Sequence, residues 1–184
     1  MHKYFLNIYH FINKFNKNDI INLDKNVSLI FRNYSKKNHQ KTIIKIKNLC
    51  KKHNRKIYIS NDLKLGLKLN LDGIYIPSFN KKKNMCFLSK RTNFEVIGSA
   101  HNIPEIKTKE KQGVNLIFLS PLFKTKKNNK FLDIVKFKNL SKNTNKKIIA
   151  LGGLNVKNIK KIKNLNIYGY ASISYIKNNS KIFC

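Results

Sequence analysis

Three short segments share one pattern, in which a hydrophobic run stops abruptly at glycine, serine or another small polar residue. They are Val96-Ile97-Gly98-Ser99-Ala100-His101, Ile117-Phe118-Leu119-Ser120-Pro121-Leu122-Phe123-Lys124-Thr125 and Ile148-Ile149-Ala150-Leu151-Gly152-Gly153-Leu154-Asn155. A strand that ends this way delivers hydroxyl, imidazole and bare backbone groups to a ligand beyond its carboxyl end. His101 either exchanges a proton with such a ligand near neutral pH or hydrogen-bonds the rim. Gly152-Gly153 makes either a tight turn or a place where backbone N–H groups approach an anion closely. Ser99 suits a helix cap or a ligand contact, and Asp62 suits a cap or a divalent cation. His2, His10, His39 and His53 show no partner spacing and read as packing or surface residues.

The elements that must position these groups alternate along the chain. β-Branched and aromatic content predicts strands at Tyr4 to Phe11, Val27 to Phe31, Ile57 to Ile59, Gly73 to Ile76, Phe94 to Ile97, Asn115 to Leu119, Lys147 to Leu151 and Tyr168 to Ile173. Helices are expected at Asp19 to Leu23, Lys41 to Lys52, Asp62 to Leu69, after Asn102-Ile103-Pro104-Glu105, at Ile134 to Leu140 and at Val156 to Leu165. In the second of these Ile43, Ile46, Leu49 and Cys50 keep a helical period while Lys45, Lys47 and Lys51 turn outward. The block Asn80 to Asn93 reads as a loop with one helical turn, and Lys124 to Lys130 as a long basic loop. Strands joined through helices pair in parallel, so their polar ends share one face. Eight strands with seven or eight helices in 184 residues imply an α/β fold, a compact (β/α)8 TIM barrel with a shortened terminal helix, as a single domain over residues 1–184. The competing layout, an open doubly wound sheet, lacks a glycine-rich fingerprint after the first strand.

Composition narrows the function classes. Thirty-nine Lys and Arg against eight Asp and Glu give a net charge of +31, which would attract nucleic acid without sequence recognition. Only Arg32, Arg55 and Arg91 are arginines, however, and phosphate or base recognition favours the planar guanidinium. Lysine is instead spread along the chain with Asn, Ile, Phe and Tyr, the residues that AT-rich codons specify, so a nucleic-acid role is not expected. The charge would still concentrate anionic substrates. No apolar stretch reaches the length of a membrane span, and Met1 to Phe15 lacks a cleavage site of the secretory kind. Cys50, Cys86 and Cys184 are odd in number and have no paired metal spacing, which points to a reducing cytoplasmic setting.

Six elements in this order resemble the thiamine phosphate synthase/TenI family of (β/α)8 barrels: Ser60-Asn61-Asp62, Leu71-Asp72-Gly73-Ile74, Gly98-Ser99-Ala100-His101 with Glu105, Ser120 to Thr125, Ala150-Leu151-Gly152-Gly153-Leu154, and Ile173-Ser174. The resemblance implies a synthase in thiamine biosynthesis. In that reaction a pyrimidine-methyl diphosphate loses pyrophosphate with the help of magnesium, and a thiazole phosphate nitrogen captures the cationic carbon. It implies Arg32 and His101 as catalytic residues, and Arg32, Asn61, Ser99, Thr125, Gly152, Gly153, Ile173 and Ser174 around the substrates, with Asp62 on Mg2+. The diphosphate half departs from the family's pattern. Where Gln, Arg, Glu and Lys are expected the chain reads Ile30, Arg32, Asn33 and Tyr34; the second metal-binding Asp is Asn80; and the loop lysine aligns with Asn128, near Lys126, Lys127 and Lys130. The thiazole phosphate half, with Thr125, Gly153 and Ser174, matches better.

Two further readings stay open. A TenI-like thiazole tautomerase would use His101 for proton transfer and need neither metal nor diphosphate. A non-catalytic binder of phosphorylated metabolites or RNA would need only the pocket. The partners expected are small phosphorylated substrates and no membrane, with room for a homo-oligomer.

Overall fold

The computed structural model describes residues 7–34, 39–82, 93–126 and 129–172. Eight strands form a closed barrel in chain order: β1 (Asn7–Ile12), β2 (Val27–Phe31), β3 (Ile57–Ser60), β4 (Gly73–Ile76), β5 (Glu95–Ala100), β6 (Leu116–Leu119), β7 (Lys147–Leu151) and β8 (Gly169–Ser172). Every neighbouring pair is parallel, and β8 closes on β1 with Ile8 opposite Tyr170. The helices are α1 (Lys17–Ile21), α2 (Gln40–Lys52), α3 (Leu63–Lys68), α4 (Ile103–Lys111) and α5 (Asp133–Ser141). The structure is thus the (β/α)8 barrel expected from the alternation. The trimmed final helix expected after Ile173 lies outside the described residues.

The two-residue period of the strands sorts side chains between two cores. Tyr9, Phe11, Ile30, Tyr58, Tyr75, Ile97, Leu116, Phe118, Ile149 and Ala171 fill the barrel interior. The intervening residues, among them Leu29, Ile59, Ile74, Val96 and Ile117, pack outward against the helices. In α2 the outward core meets Ile43, Ile46, Leu49 and Cys50, the stripe read from the sequence. The interior is largely aromatic: Phe118 packs edge-on against Tyr9 at 5.1 Å and Tyr75 at 5.6 Å, and Phe11 against Tyr75 at 5.2 Å. Edge-to-face pairs of this kind let several rings fill a narrow barrel without a void.

Several boundaries differ from expectation by a residue or more, and three of them have a clear local cause. Asn16 caps α1 by accepting a hydrogen bond from Asp19 N, so this helix starts at Lys17. Strand β5 runs on to Ala100 instead of stopping at Ile97, because Gly98, Ser99 and Ala100 pair with Ile117, Phe118 and Leu119. The helix expected over Val156 to Leu165 is a 3₁₀ helix, Ile159–Asn164. Asn155 and Asn158 exchange side-chain bonds with each other's backbone N–H groups at 2.9 and 3.2 Å, which satisfies the segment locally and delays the helix. Ile159, Ile162 and Leu165, all buried, then follow at steps of three, the period of a 3₁₀ turn.

Candidate active site at the carboxyl end of the barrel

Because all eight strands are parallel, the residues that follow them gather at one end. The inward-facing positions change character there: aromatic and aliphatic side chains deeper in the barrel give way to Arg32, Ser60, Ser99 and Ser120 at the mouth. The Arg32 guanidinium lies over the Phe11 ring, 4.7 Å from its centroid, and the backbone N–H of Arg32 donates to Ile12 O at 2.7 Å. A guanidinium on an aromatic face is oriented yet keeps its edge donors for an anion. Ser99 is buried and bonds the hydroxyl of Tyr75, whose pKa burial pushes up to about 12.

Polar contacts stitch this rim from strand to strand. Tyr34, after β2, shares a hydrogen bond of 2.8 Å with Ser60 on β3. Asn61, in the left-handed region at φ +62°, accepts from Asn80 Nδ2 beyond β4 at 2.7 Å. Ser78 Oγ lies 3.2 Å from His101 Nε2 beyond β5. His101 Nδ1 donates to Ser120 O, beyond β6, at 2.6 Å. A carbonyl oxygen only accepts, so Nδ1 carries a proton and Nε2 is the ring nitrogen that faces Ser78. The backbone under His101 is fixed as well: Asn102 caps α4 through Glu105 N, and Glu105 Oε2 accepts from His101 N at 2.8 Å.

On the β7 side, Leu122 N donates to Leu151 O and Phe123 N to Gly152 O, at 2.9 and 3.1 Å. Gly152 and Gly153 have φ of +94° and +71°. A Cβ on Gly152 would sit 2.8 Å from Pro121, and one on Gly153 would meet Phe123 O and lie 2.6 Å from Lys124 O. The loop carrying Thr125 therefore folds directly over the diglycine turn, and glycine is required there for close backbone approach as well as for φ. Thr125 lies in an isolated β-bridge in that loop. Of the residues singled out in the sequence, Arg32, Asn61, Asp62, Asn80, Ser99, His101, Thr125, Gly152 and Gly153 all stand at this one end. Ile173 and Ser174 fall outside the described residues, as does Asn128.

Asp62 caps α3: its Oδ1 accepts from Leu65 N at 3.0 Å. Among the described residues no group of three or more His, Cys, Asp or Glu side chains is placed to hold a metal ion. Asn80 Oδ1 accepts from Lys82 N while its amide is bonded to Asn61. Among the described residues at this mouth, Asp62 Oδ2 is a carboxylate oxygen not used by the cap and so open to a cation. That donor set suits Mg2+ arriving with a diphosphate and water, and does not suit a cage built by protein alone.

Sequence reasoning missed the Phe11 shelf under Arg32, the Tyr75–Ser99 bond, the Tyr34–Ser60 bond and Ser78. Strand parity would have found the first two, since Phe11, Tyr75 and Ser99 all occupy inward positions. Nothing in the spacing signals Ser78, because it lies on an irregular segment.

A sequence profile of the thiamine monophosphate synthase family matches residues 21–176. The chain is 33% identical over 156 residues to a thiamine-phosphate synthase of Prochlorococcus marinus subsp. pastoris, covering 81% of this chain and 43% of that protein. It is 26% identical over 154 residues to the thiamine-phosphate synthase of Fusobacterium nucleatum, covering 83% and 75%. It thus spans less than half the length of its Prochlorococcus relative. Among solved structures, thiamine phosphate pyrophosphorylase from Pyrococcus furiosus superposes with a TM-score of 0.74 at 14% identity, over 98% of this chain and 92% of that one. At that identity the likeness speaks for the fold. The profile match runs from α1 past the end of β8 and takes in every strand end of the stitched mouth, and on this ground the chain belongs to the thiamine monophosphate synthase family.

Proposed function

We propose that the barrel is a single catalytic domain that condenses a pyrimidine-methyl diphosphate with a thiazole phosphate and releases pyrophosphate, a step of thiamine biosynthesis. The observation that carries this reading is the unbroken series of polar contacts joining the ends of β2 to β7, with Arg32 and Asp62 on one side and Thr125 and Gly153 on the other. Charge develops on the departing pyrophosphate, so cationic and N–H groups must be oriented before the bond breaks. Arg32, held over Phe11, supplies such a group. Asn61 and Ser99 border the same side and orient the pyrimidine. Mg2+, held by Asp62 and the diphosphate, would neutralise leaving-group charge. Thr125 and the diglycine turn receive the thiazole phosphate, in keeping with phosphate sites after the seventh and eighth strands of such barrels; the family resemblance gives Ile173 and Ser174, outside the described residues, the same ligand.

The test is to mix both substrates with magnesium and look for thiamine phosphate. No product at saturating substrate rejects the synthase reading.

One observation favours a second reading, a thiazole tautomerase. His101 presents Nε2 at the mouth with the ring held by the Nδ1–H bond to Ser120 O, the placement a general base needs. A His101→Asn variant that still exchanges the thiazole proton would end it. Thermal shifts separate the two readings, since a ligand that binds only the folded chain raises its melting temperature. A magnesium-dependent response to the diphosphate supports the synthase, whereas a response to the monophosphate alone supports the tautomerase or a silent binder.

For location, two observations bear. Among the described residues no helix is long and apolar enough to cross a membrane. Cys50 is a free buried thiol whose pKa burial raises to about 12. Both are in keeping with a protein of the cytoplasm.

A further inference from the structure

Behind the mouth, on the outer face of the barrel, a lysine is fully buried without a carboxylate. Lys109 of α4 has no exposed surface, and its three ammonium hydrogens go to Pro77 O at 2.8 Å, Asn80 O at 2.7 Å and Gln112 Oε1 at 2.9 Å. Gln112, equally buried, donates both amide hydrogens onward, to Asn80 O at 2.9 Å and Lys82 O at 2.8 Å. Four of these five donated hydrogens thus converge on the backbone of the segment 77–82, the fifth joins the two side chains, and none is left over. The lysine stem is admitted by Gly98, where a Cβ would stand 2.9 Å from Lys109 Cδ. A buried cation is costly unless all its hydrogens are bonded, so this arrangement has few alternatives and holds the segment in one place.

That segment carries three rim contacts: Ser78 with His101, Asn80 with Asn61, and Phe79 edge-on to Tyr34 at 5.8 Å. From this we infer that Lys109 and Gln112 are positioning residues, which set the chain leaving β4 so that Ser78 and Asn80 meet His101 and Asn61 across the mouth. They touch no substrate and act through the main chain of residues 77–82. The effect on turnover rests on the synthase reading; the placement of Ser78 against His101 does not.

Two variants separate positioning from simple stability. Gln112→Glu keeps an acceptor for the ammonium, and adds an ion pair, but removes both hydrogens donated to Asn80 O and Lys82 O. Lys109→Met keeps the stem and removes the donors to Pro77 O and Asn80 O. The readout is the His101 ring in nitrogen-15 and proton NMR spectra, with thermal melting recorded to establish that each variant is folded. Both are expected to shift the Nε2 signal as the Ser78 contact is lost. Gln112→Glu should melt within a few degrees of the native chain. In the coupled reaction KM for the pyrimidine diphosphate should rise several-fold while KM for the thiazole phosphate stays unchanged. His101 signals that superpose on the native ones in the folded variants overturn the inference, and if Lys109→Met does not fold, Gln112→Glu alone decides. If the native chain makes no thiamine phosphate, the synthase reading falls and the spectra still judge the positioning.

Discussion

Single side chains at the mouth have separable jobs, and substitution can tell them apart. On the proposed synthase reading Arg32→Ala removes an oriented donor from the leaving-group side, so kcat/KM should fall by about 10²-fold, with thiazole phosphate binding unchanged. Arg32→Lys should recover little of this, since a point charge neither stacks on Phe11 nor presents a forked edge. Equal losses against both substrates would refute that placement. For Asp62 the cap and the carboxylate can be divided: Asp62→Asn retains a capping oxygen and should melt like the native chain while requiring more magnesium for the same rate. Asp62→Ala should lose about 1 kcal/mol of stability as well. The gathering of these residues at one end was legible in the sequence, because Arg32, Asp62, Ser99 and His101 stand where hydrophobic runs break. Lys109 was not. A lysine between Thr108 and Glu110 on an amphipathic segment looks like any solvated cation until Gly98 is seen to make room for it.

Elements were legible wherever their period was strong. The stripe of α2 and the alternation along the strands follow directly from apolar spacing, and the closed barrel follows from their number and parallel order. The element that departed, the 3₁₀ helix after β7, did so because asparagine side chains bonded the backbone ahead of it; apolar residues at 159, 162 and 165 serve a three-residue period as well as a longer one. The diglycine turn belongs to this scale too. Gly153→Ala should cost about 1–3 kcal/mol, from a left-handed φ and a clash with the carbonyls of Phe123 and Lys124, and should lower the melting temperature accordingly. Because it moves the Thr125 loop, the same change should weaken thiazole phosphate binding more than diphosphate binding. Unchanged melting would show that the loop does not press on the turn.

Across the whole molecule the excess of 31 positive charges is dispersed, and only two ion pairs occur among the described residues, Lys107 with Glu110 and Lys136 with Asp133. Self-repulsion should therefore weaken the fold at low ionic strength. Raising chloride salt from about 10 to about 150 mM, which shortens the screening length from about 30 to about 8 Å, should raise the melting temperature. No change would mean that the lysines are too well solvated to repel. At the alkaline end Lys109 contributes in a defined direction. Burial lowers its pKa from 10.5 to about 8, so between those values the folded chain binds fewer protons than the unfolded one and its stability rises with pH. Lys109→Met should remove that component of the rise, as denaturation at successive pH values would show. Arg55 is tied in part the same way elsewhere, its Nη1 and Nη2 donating to the carbonyls of Leu23, Asp24 and Val27 while its buried Nε has no partner among the described residues. Amide oxygens have no proton to gain in this range, so vinegar-strength acid, which neutralises carboxylates and loosens ordinary internal ion pairs, leaves the acceptors of both cations untouched. Acid thus removes only the longer-range pull of Asp24 on Arg55 and of Glu105 on Lys109, while the bonds themselves keep their acceptors.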